Sequence, residues 1–172
     1  TNDWSFDKTD EPVVVKLDEV KRLKFDVQSA IVRVEGKELP CQLDDLDGDA
    51  KADELVFLAD IGSGQTLAYE VTLSATGAQK EYTPRVYADM MLDDKKGKHP
   101  FITSIEAPGK SYIYSDLYHH GAAFETELTA FRVYFDHRQN IDIYGKKLRR
   151  LELADTHFYT TPEQMQKDYG ND

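Results

Sequence analysis

Short runs of alternating apolar and polar residues, cut at close intervals by glycine or proline, constrain this chain more than any other feature. Ile31, Val32 and Val34 lead through Glu35-Gly36-Lys37-Glu38 to Leu39-Pro40-Cys41-Gln42-Leu43, the pattern of a hairpin turning at Gly36. Leu55-Val56-Phe57-Leu58 and, after Gly62-Ser63-Gly64, Leu67, Tyr69, Val71 and Leu73 predict another pair of strands. Further runs lie at 85–91, 101–106, 112–118, 124–136, 141–144 and 150–159. No amphipathic helical run separates them, as an α/β fold would require. The expectation is an all-β chain, an antiparallel β-sandwich. Residues 1–12 are polar, acidic and aperiodic and read as an extended N-terminal arm, with 13–172 as a single sandwich domain. Two short helices are expected, a turn over 18–25 capped by Asp18 and a terminal helix at Thr161-Pro162-Glu163 with proline in its first position.

Charge narrows the partners. The 172 residues carry 21 Lys+Arg against 32 Asp+Glu, a formal net charge of −11. Such a field repels phosphate backbones and anionic lipid heads, which argues against nucleic-acid and membrane-surface binding. No apolar run approaches the roughly 20 residues of a membrane helix. The one cysteine, Cys41, cannot form an internal disulfide, and the chain shows no charged-then-apolar leader at Thr1. Nucleophile-elbow and phosphate-loop motifs are absent. The basic island Lys146-Lys147-Leu148-Arg149-Arg150 is expected to pair with acidic segments or to lie solvated.

The densest acidic stretch is Asp44-Asp45-Leu46-Asp47-Gly48-Asp49-Ala50-Lys51-Ala52-Asp53-Glu54. Counting Asp45 as position one puts carboxylates at one, three, five and nine, namely Asp45, Asp47, Asp49 and Asp53, with the Lys51 carbonyl at seven. This is the ligand ladder of a calcium loop, because a hard cation needs several oxygens converging from one tight turn. Ala50 stands where the loop glycine is expected, and Glu54 sits at ten rather than twelve. A solvated turn closed by Asx hydrogen bonds is therefore the competing reading.

An internal echo forms the second feature. Arg85-Val86-Tyr87-Ala88-Asp89 and Arg132-Val133-Tyr134-Phe135-Asp136 share Arg-Val-Tyr-x-Asp. On a strand, residues two apart share a face, so Arg85, Tyr87 and Asp89 are expected to point away from a core holding Val86, Ala88 and Met90. By the same rule Arg132, Tyr134 and Asp136 lie opposite Phe131, Val133 and Phe135, and Tyr144 follows suit beside Asp142. Such a face suits sugars, whose rings stack on aromatics while arginines, here with Arg138, pair a uronate carboxylate bidentately. Ordinary cross-strand pairs on a solvated sheet would look the same.

The third feature is Tyr118-His119-His120-Gly121 at a strand end. Adjacent histidines on a strand face opposite sides and do not share a metal without a bulge, while His99, His137 and His157 have no ligand spacing that completes a zinc site. Tyr118, His119 and His120 are instead candidate proton-transfer residues, imidazole titrating near neutrality.

The phrases Thr9-Asp10-Glu11-Pro12-Val13, Pro40-Cys41-Gln42-Leu43-Asp44-Asp45-Leu46-Asp47-Gly48-Asp49, Asp53-Glu54-Leu55-Val56-Phe57-Leu58-Ala59-Asp60, Tyr118-His119-His120-Gly121 and Asp142-Ile143-Tyr144-Gly145-Lys146 resemble a secreted bacterial family with a domain of unknown function, found among polysaccharide-utilisation genes. The resemblance implies a galactose-mutarotase-like supersandwich and a periplasmic or cell-surface location. It also implies that Asp168-Tyr169-Gly170-Asn171-Asp172 lies inside longer relatives. The chain would then be an amino-terminal part of a larger sandwich, its edges covered by a missing C-terminal half or by a second copy. The expectation for function is a carbohydrate-active or glycan-binding sandwich acting on acidic polysaccharide fragments, by lyase-type β-elimination if catalytic. A calcium-stabilised, non-catalytic glycan-binding or structural module and a sugar mutarotase or epimerase stand beside it.

Overall fold

The computed structural model of the chain describes residues 1–109 and 111–170; Asn171 and Asp172 of the 168–172 phrase lie outside the described residues. The architecture is all-β and antiparallel, a sandwich rather than a closed barrel. The chain divides into two compact units, Thr1–Thr83 and Pro84–Asp172.

In the first unit, β1 (Lys8–Lys16), β2 (Ser29–Val34), β3 (Lys37–Leu39), β4 (Cys41–Asp44), β5 (Glu54–Ile61) and β6 (Tyr69–Ser74) form two three-stranded sheets, ordered β1-β5-β4 and β3-β2-β6. Leu55 and Phe57 from one sheet meet Ala30 and Val32 from the other, with Leu17, Val27 and Cys41 closing the core. Each large side chain buried there contributes about 1.5–3 kcal/mol. The β2–β3 hairpin turns at Glu35 and Gly36, both with left-handed φ (50° and 77°), the backbone a two-residue primed turn requires. Leu39 and Cys41 belong to different sheets, so the run read as one strand is two. Pro40, which has no N–H to give a ladder, is where the chain changes sheet. The runs at 55–58 and 67–73 are strands but not partners: β5 pairs with β1 and β4, and β6 with β2.

The stretch read as an arm is tied down. Residues 8–12 are part of β1, and the buried Asn2 donates its amide to the carbonyls of Phe6, Ile61 and Gly62 at 2.8–3.1 Å. The expected turn over 18–25 is a 3-10 turn at Leu17–Glu19 with Lys16, not Asp18, at its N-cap.

The second unit holds β7 (Val86–Asp89), β8 (Gly121–Thr126), β9 (Thr129–Tyr134) and β10 (Ile141–Gly145), ordered β10-β9-β8-β7, followed by α1 (Leu153–Thr156) and α2 (Pro162–Met165). Residues 112–118 are not a strand. Tyr112 and Tyr114 stack on each other around a 3-10 turn at Ile113–Asp116. The 101–106 run contributes the isolated bridge of Phe101 to Met91, and the 150–159 run contains α1. The terminal helix is as expected: Thr161 accepts from the Gln164 N–H, the Gln164 side chain accepts from the Thr161 N–H, and Pro162 follows the cap.

The orientation of this sheet reverses the expectation. Val86, Phe124, Ile141 and Ile143 are exposed, whereas Asp89, Glu125 and Arg132 are buried and Tyr87, Tyr134 and Tyr144 half-buried. Residues 146–160 cover the polar face. They are anchored by Glu125, whose carboxylate accepts from the Glu152 and Leu153 N–H groups at 2.7–3.0 Å and pairs with the buried Lys146 ammonium. Charges matched in this way can be taken out of water, which outward-facing polarity rules do not foresee.

Candidate functional site

The inner face of the second unit carries two clusters. In the first, Asp142 gathers three donors: the Arg132 guanidinium at 3.0 Å and the Tyr134 and Tyr144 hydroxyls at 2.7 and 3.0 Å. The Tyr134 hydrogen bond, with Arg132 and Tyr144 adding to it, holds the Asp142 carboxyl below its ordinary range. Arg132 lies against the rings of Tyr134, Tyr144 and Phe158 at 4.8, 5.7 and 5.1 Å, a cation enclosed by aromatics.

The second cluster is deeper. His119, fully buried, places Nε2 3.6 Å from Asp89 Oδ1, and His157 joins them so that one ligand atom from each of the three lies within 4.8 Å of the others. Asp89 Oδ2 accepts from Tyr87 at 3.1 Å. Asp89 Oδ1, both ring nitrogens of His119 and Nδ1 of His157 are buried without a hydrogen-bond partner among the described residues. Burial pushes His119 down to about 3, with the neighbouring His157 and Arg132 charges acting in the same direction. Burial likewise raises Asp89, while its neighbour Tyr87 is pushed up to about 12 by burial and by the Asp89 charge. Three elements position this cluster: β7 supplies Asp89, the turn before β8 supplies His119, and the C-cap of α1 supplies His157 at a left-handed φ of 49°. Phe158 (φ 64°) and His120 (φ 64°) share that uncommon backbone.

His120 points elsewhere, turned away by its left-handed φ in the turn before β8. It stacks on Tyr114 at 4.1 Å and 3°, within an aromatic row running from Tyr112 through Tyr114 and His120 to Tyr134. Its Nδ1 lies 3.2 Å from the Tyr114 carbonyl; a carbonyl only accepts, so Nδ1 carries a proton, and in the neutral ring the lone pair falls on Nε2. Tyr112 is exposed and the other three rings half-buried. Tyr118 stacks on His99 at 3.5 Å and meets the exposed Tyr159 edge-on at 5.5 Å. Gly121 follows because nothing larger fits: a Cβ there would stand 1.7 Å from the Val133 carbonyl oxygen.

The remaining residues singled out from the sequence are dispersed. Arg85 pairs with Glu127 at 3.1 Å, beside Arg149, away from any common clamp with the buried Arg132. Asp136 shapes the β9–β10 turn by accepting from the Arg138 and Gln139 N–H groups, leaving Arg138 exposed there. His157 was set aside for lack of ligand spacing, yet the fold supplies the proximity that the sequence lacks. Glu125 carries no signal of its own in the sequence, whereas Asp142 lies beside Tyr144 as alternation places it and Lys146 pairs with an acid as expected of the basic island. Lys146 stood within the basic island, and its only sequence signal was that island's surplus of charge.

In the first unit, the acidic turn is closed by its own Asx bonds. Asp45 accepts from the Gly48 and Ala50 N–H groups, Asp47 from Asp49, Asp49 from Lys51, and Asp53 from Leu46, all at 2.7–3.1 Å. Ala50 takes the left-handed φ (69°) expected of the missing glycine. Carboxylate oxygens of Asp45, Asp47 and Asp49 converge within 4.8 Å, all exposed. The Asx and the cation readings thus describe the same backbone.

Comparison with known proteins gives one match: the profile of a family described as a domain of unknown function, DUF4861, covers residues 1–172. No curated protein and no solved structure matches the chain.

Proposed function

The chain belongs to the DUF4861 family, and from that premise and the geometry of the second unit we propose that it is a carbohydrate-active β-sandwich protein acting on acidic polysaccharide fragments by β-elimination. One observation supports this most: a partly exposed row of parallel rings, Tyr112, Tyr114, His120 and Tyr134, contains an imidazole whose neutral ring has its lone pair on Nε2. The exposed Tyr112 ring at the end of the row is open to the apolar face of a sugar ring, and Nε2 of His120 is the base offered to the proton beside a uronate carboxylate. Tyr118 supplies a phenolic proton to the leaving oxygen, and Arg138, in the turn after Tyr134, pairs the carboxylate. Arg85 and Arg132 have other partners and serve the fold. A periplasmic or cell-surface location, where such polymers are met, belongs to the same proposal.

The test incubates the chain with a panel of acidic polysaccharides, following the ultraviolet absorbance of unsaturated uronates and the release of reducing ends. Activity that disappears in His120→Gln supports the reading. Activity unchanged in that variant removes His120 as the base. Retained glycan retardation in affinity electrophoresis without either product favours the second reading, a non-catalytic glycan-binding module, for which the same aromatic row suffices.

A further inference from the structure

The Asp89, His119 and His157 cluster calls for an occupant that no side chain provides. Burying an imidazole and a carboxylate oxygen without hydrogen bonds costs free energy, and natural interiors pair nearly all such atoms. Four of the buried atoms without a partner among the described residues belong to these three residues, which come from separate segments, and one ligand atom from each lies within 4.8 Å of the others. Phe158, Tyr118 and Tyr159 surround His119 at 5.4, 4.7 and 6.3 Å, so a polar network cannot extend far in those directions.

We infer that Asp89, His119 and His157 bind a divalent transition metal, zinc in chemical character, with one coordination position left open. Two imidazoles and a carboxylate are a donor set that zinc takes in three-ligand sites, the fourth position going to water or substrate. Tetrahedral coordination with bonds of about 2.0–2.1 Å places ligand atoms about 3.3 Å apart. His119 Nε2 and Asp89 Oδ1 stand at 3.6 Å, and the whole triad within 4.8 Å needs only side-chain rotation to close. Tyr87 supports the set from behind: its hydroxyl occupies Asp89 Oδ2 and leaves Oδ1 facing the histidines. The buried cation beyond Phe158, Arg132, is matched by Asp142 and does not oppose a second positive charge unscreened. This site goes beyond the aromatic row, which involves the other histidine of the pair.

Cobalt titration of the chelator-treated chain tests it. The expected result is one equivalent bound with the visible ligand-field bands of a tetrahedral nitrogen and oxygen site, displaced by zinc. Asp89→Asn and His157→Ala should weaken zinc binding by more than the roughly 10–100-fold that loss of a supporting residue costs. Asp47→Asn, in the acidic turn of the other unit, should leave both the bands and the affinity unchanged. Absence of the bands in the unsubstituted chain overturns the assignment, whatever the variants do. So does their persistence in Asp89→Asn or in a His157→Ala variant that keeps the far-ultraviolet circular dichroism of the parent, or their loss in Asp47→Asn. No glycan enters the measurement, so its failure leaves the carbohydrate reading untouched.

Discussion

Replacing Glu125 with glutamine isolates the interaction that holds the cover onto the inner face of the second unit. The side chain keeps its size but loses its charge, while the Lys146 ammonium, 5% exposed, stays where it is. Removing one partner of a buried ion pair costs about 3–5 kcal/mol, because the other charge is left uncompensated. The carboxylate also accepts from two backbone N–H groups at the start of α1. Weakening each from a charged to a neutral acceptor adds roughly 1 kcal/mol. Against a total of about 5–15 kcal/mol for a typical domain, Glu125→Gln should bring the second unit close to unfolding at room temperature. Urea titration followed by near-ultraviolet circular dichroism, which reports the tyrosines clustered there, should show a midpoint shifted strongly downward. The double variant Glu125→Gln, Lys146→Met, with no charge to strand, should recover much of the loss. A single-variant cost under about 1 kcal/mol would refute the reasoning, since it lies within the range of an ordinary solvated pair.

Other substitutions probe the remaining supports. Gly121→Ala drives a methyl into the Val133 carbonyl, and overpacking of this kind costs about 1–3 kcal/mol or more; a thermal midpoint equal to that of the parent would contradict the 1.7 Å approach. Asp142 is held below its ordinary 3.8, so it stabilises the fold above that pH and the contribution is lost as pH falls through the depressed value. Asp142→Asn should accordingly be less stable near neutrality and show a shallower acid transition below about pH 4 in urea titrations. Asn2→Ala strips three carbonyls of their donor and should loosen the 1–7 segment, seen as faster amide exchange at Gly64, whose N–H donates to the residue-2 carbonyl, and at residue 2, whose N–H donates to the Gln65 carbonyl. Calcium at millimolar concentration should raise the melting temperature of chelated protein, an effect weakened in Asp47→Asn; no shift would leave the Asx bonds as the whole account of the acidic turn.

Alternation and turn chemistry read the first unit well because each strand there buries one apolar face. Gly36, Pro40 and the Thr161-Pro162 cap are local devices whose physics acts within a few residues, and each sits where its chemistry puts it. Two kinds of information were not local. Which strands pair is a property of the whole chain, and β5 and β6, neighbours in sequence, belong to opposite sheets. Which face is buried was decided by a contest that periodicity cannot weigh: period two identifies the faces of β7 and β9 but not which one is covered. The candidate site shows the same division. His119 and His120 do face apart as alternation predicts, but they do so in a turn with a left-handed His120, and His157 reaches His119 through the left-handed C-cap of α1.

The inward polar face also separates structural polarity from the kind that calls for a function. In Glu125 with Lys146, and in Asp142 with Arg132, Tyr134 and Tyr144, each charge meets an opposite charge, although Arg132 Nε has no hydrogen-bond partner among the described residues. Charge pairs of this sort explain how the face can be buried without explaining why it should carry histidines. Asp89 Oδ1, the His119 ring nitrogens and His157 Nδ1 share the same interior and have no hydrogen-bond partner among the described residues, on backbone that is itself uncommon at His157 and Phe158. Had their polarity been there to hold the sheet to its cover, a serine hydroxyl or a backbone group would have met the orphaned atoms, as backbone N–H groups meet Glu125. What sets Asp89, His119 and His157 apart is therefore the convergence of potential ligand atoms within 4.8 Å with no opposite charge closing the set, which is what the proposed ion accounts for.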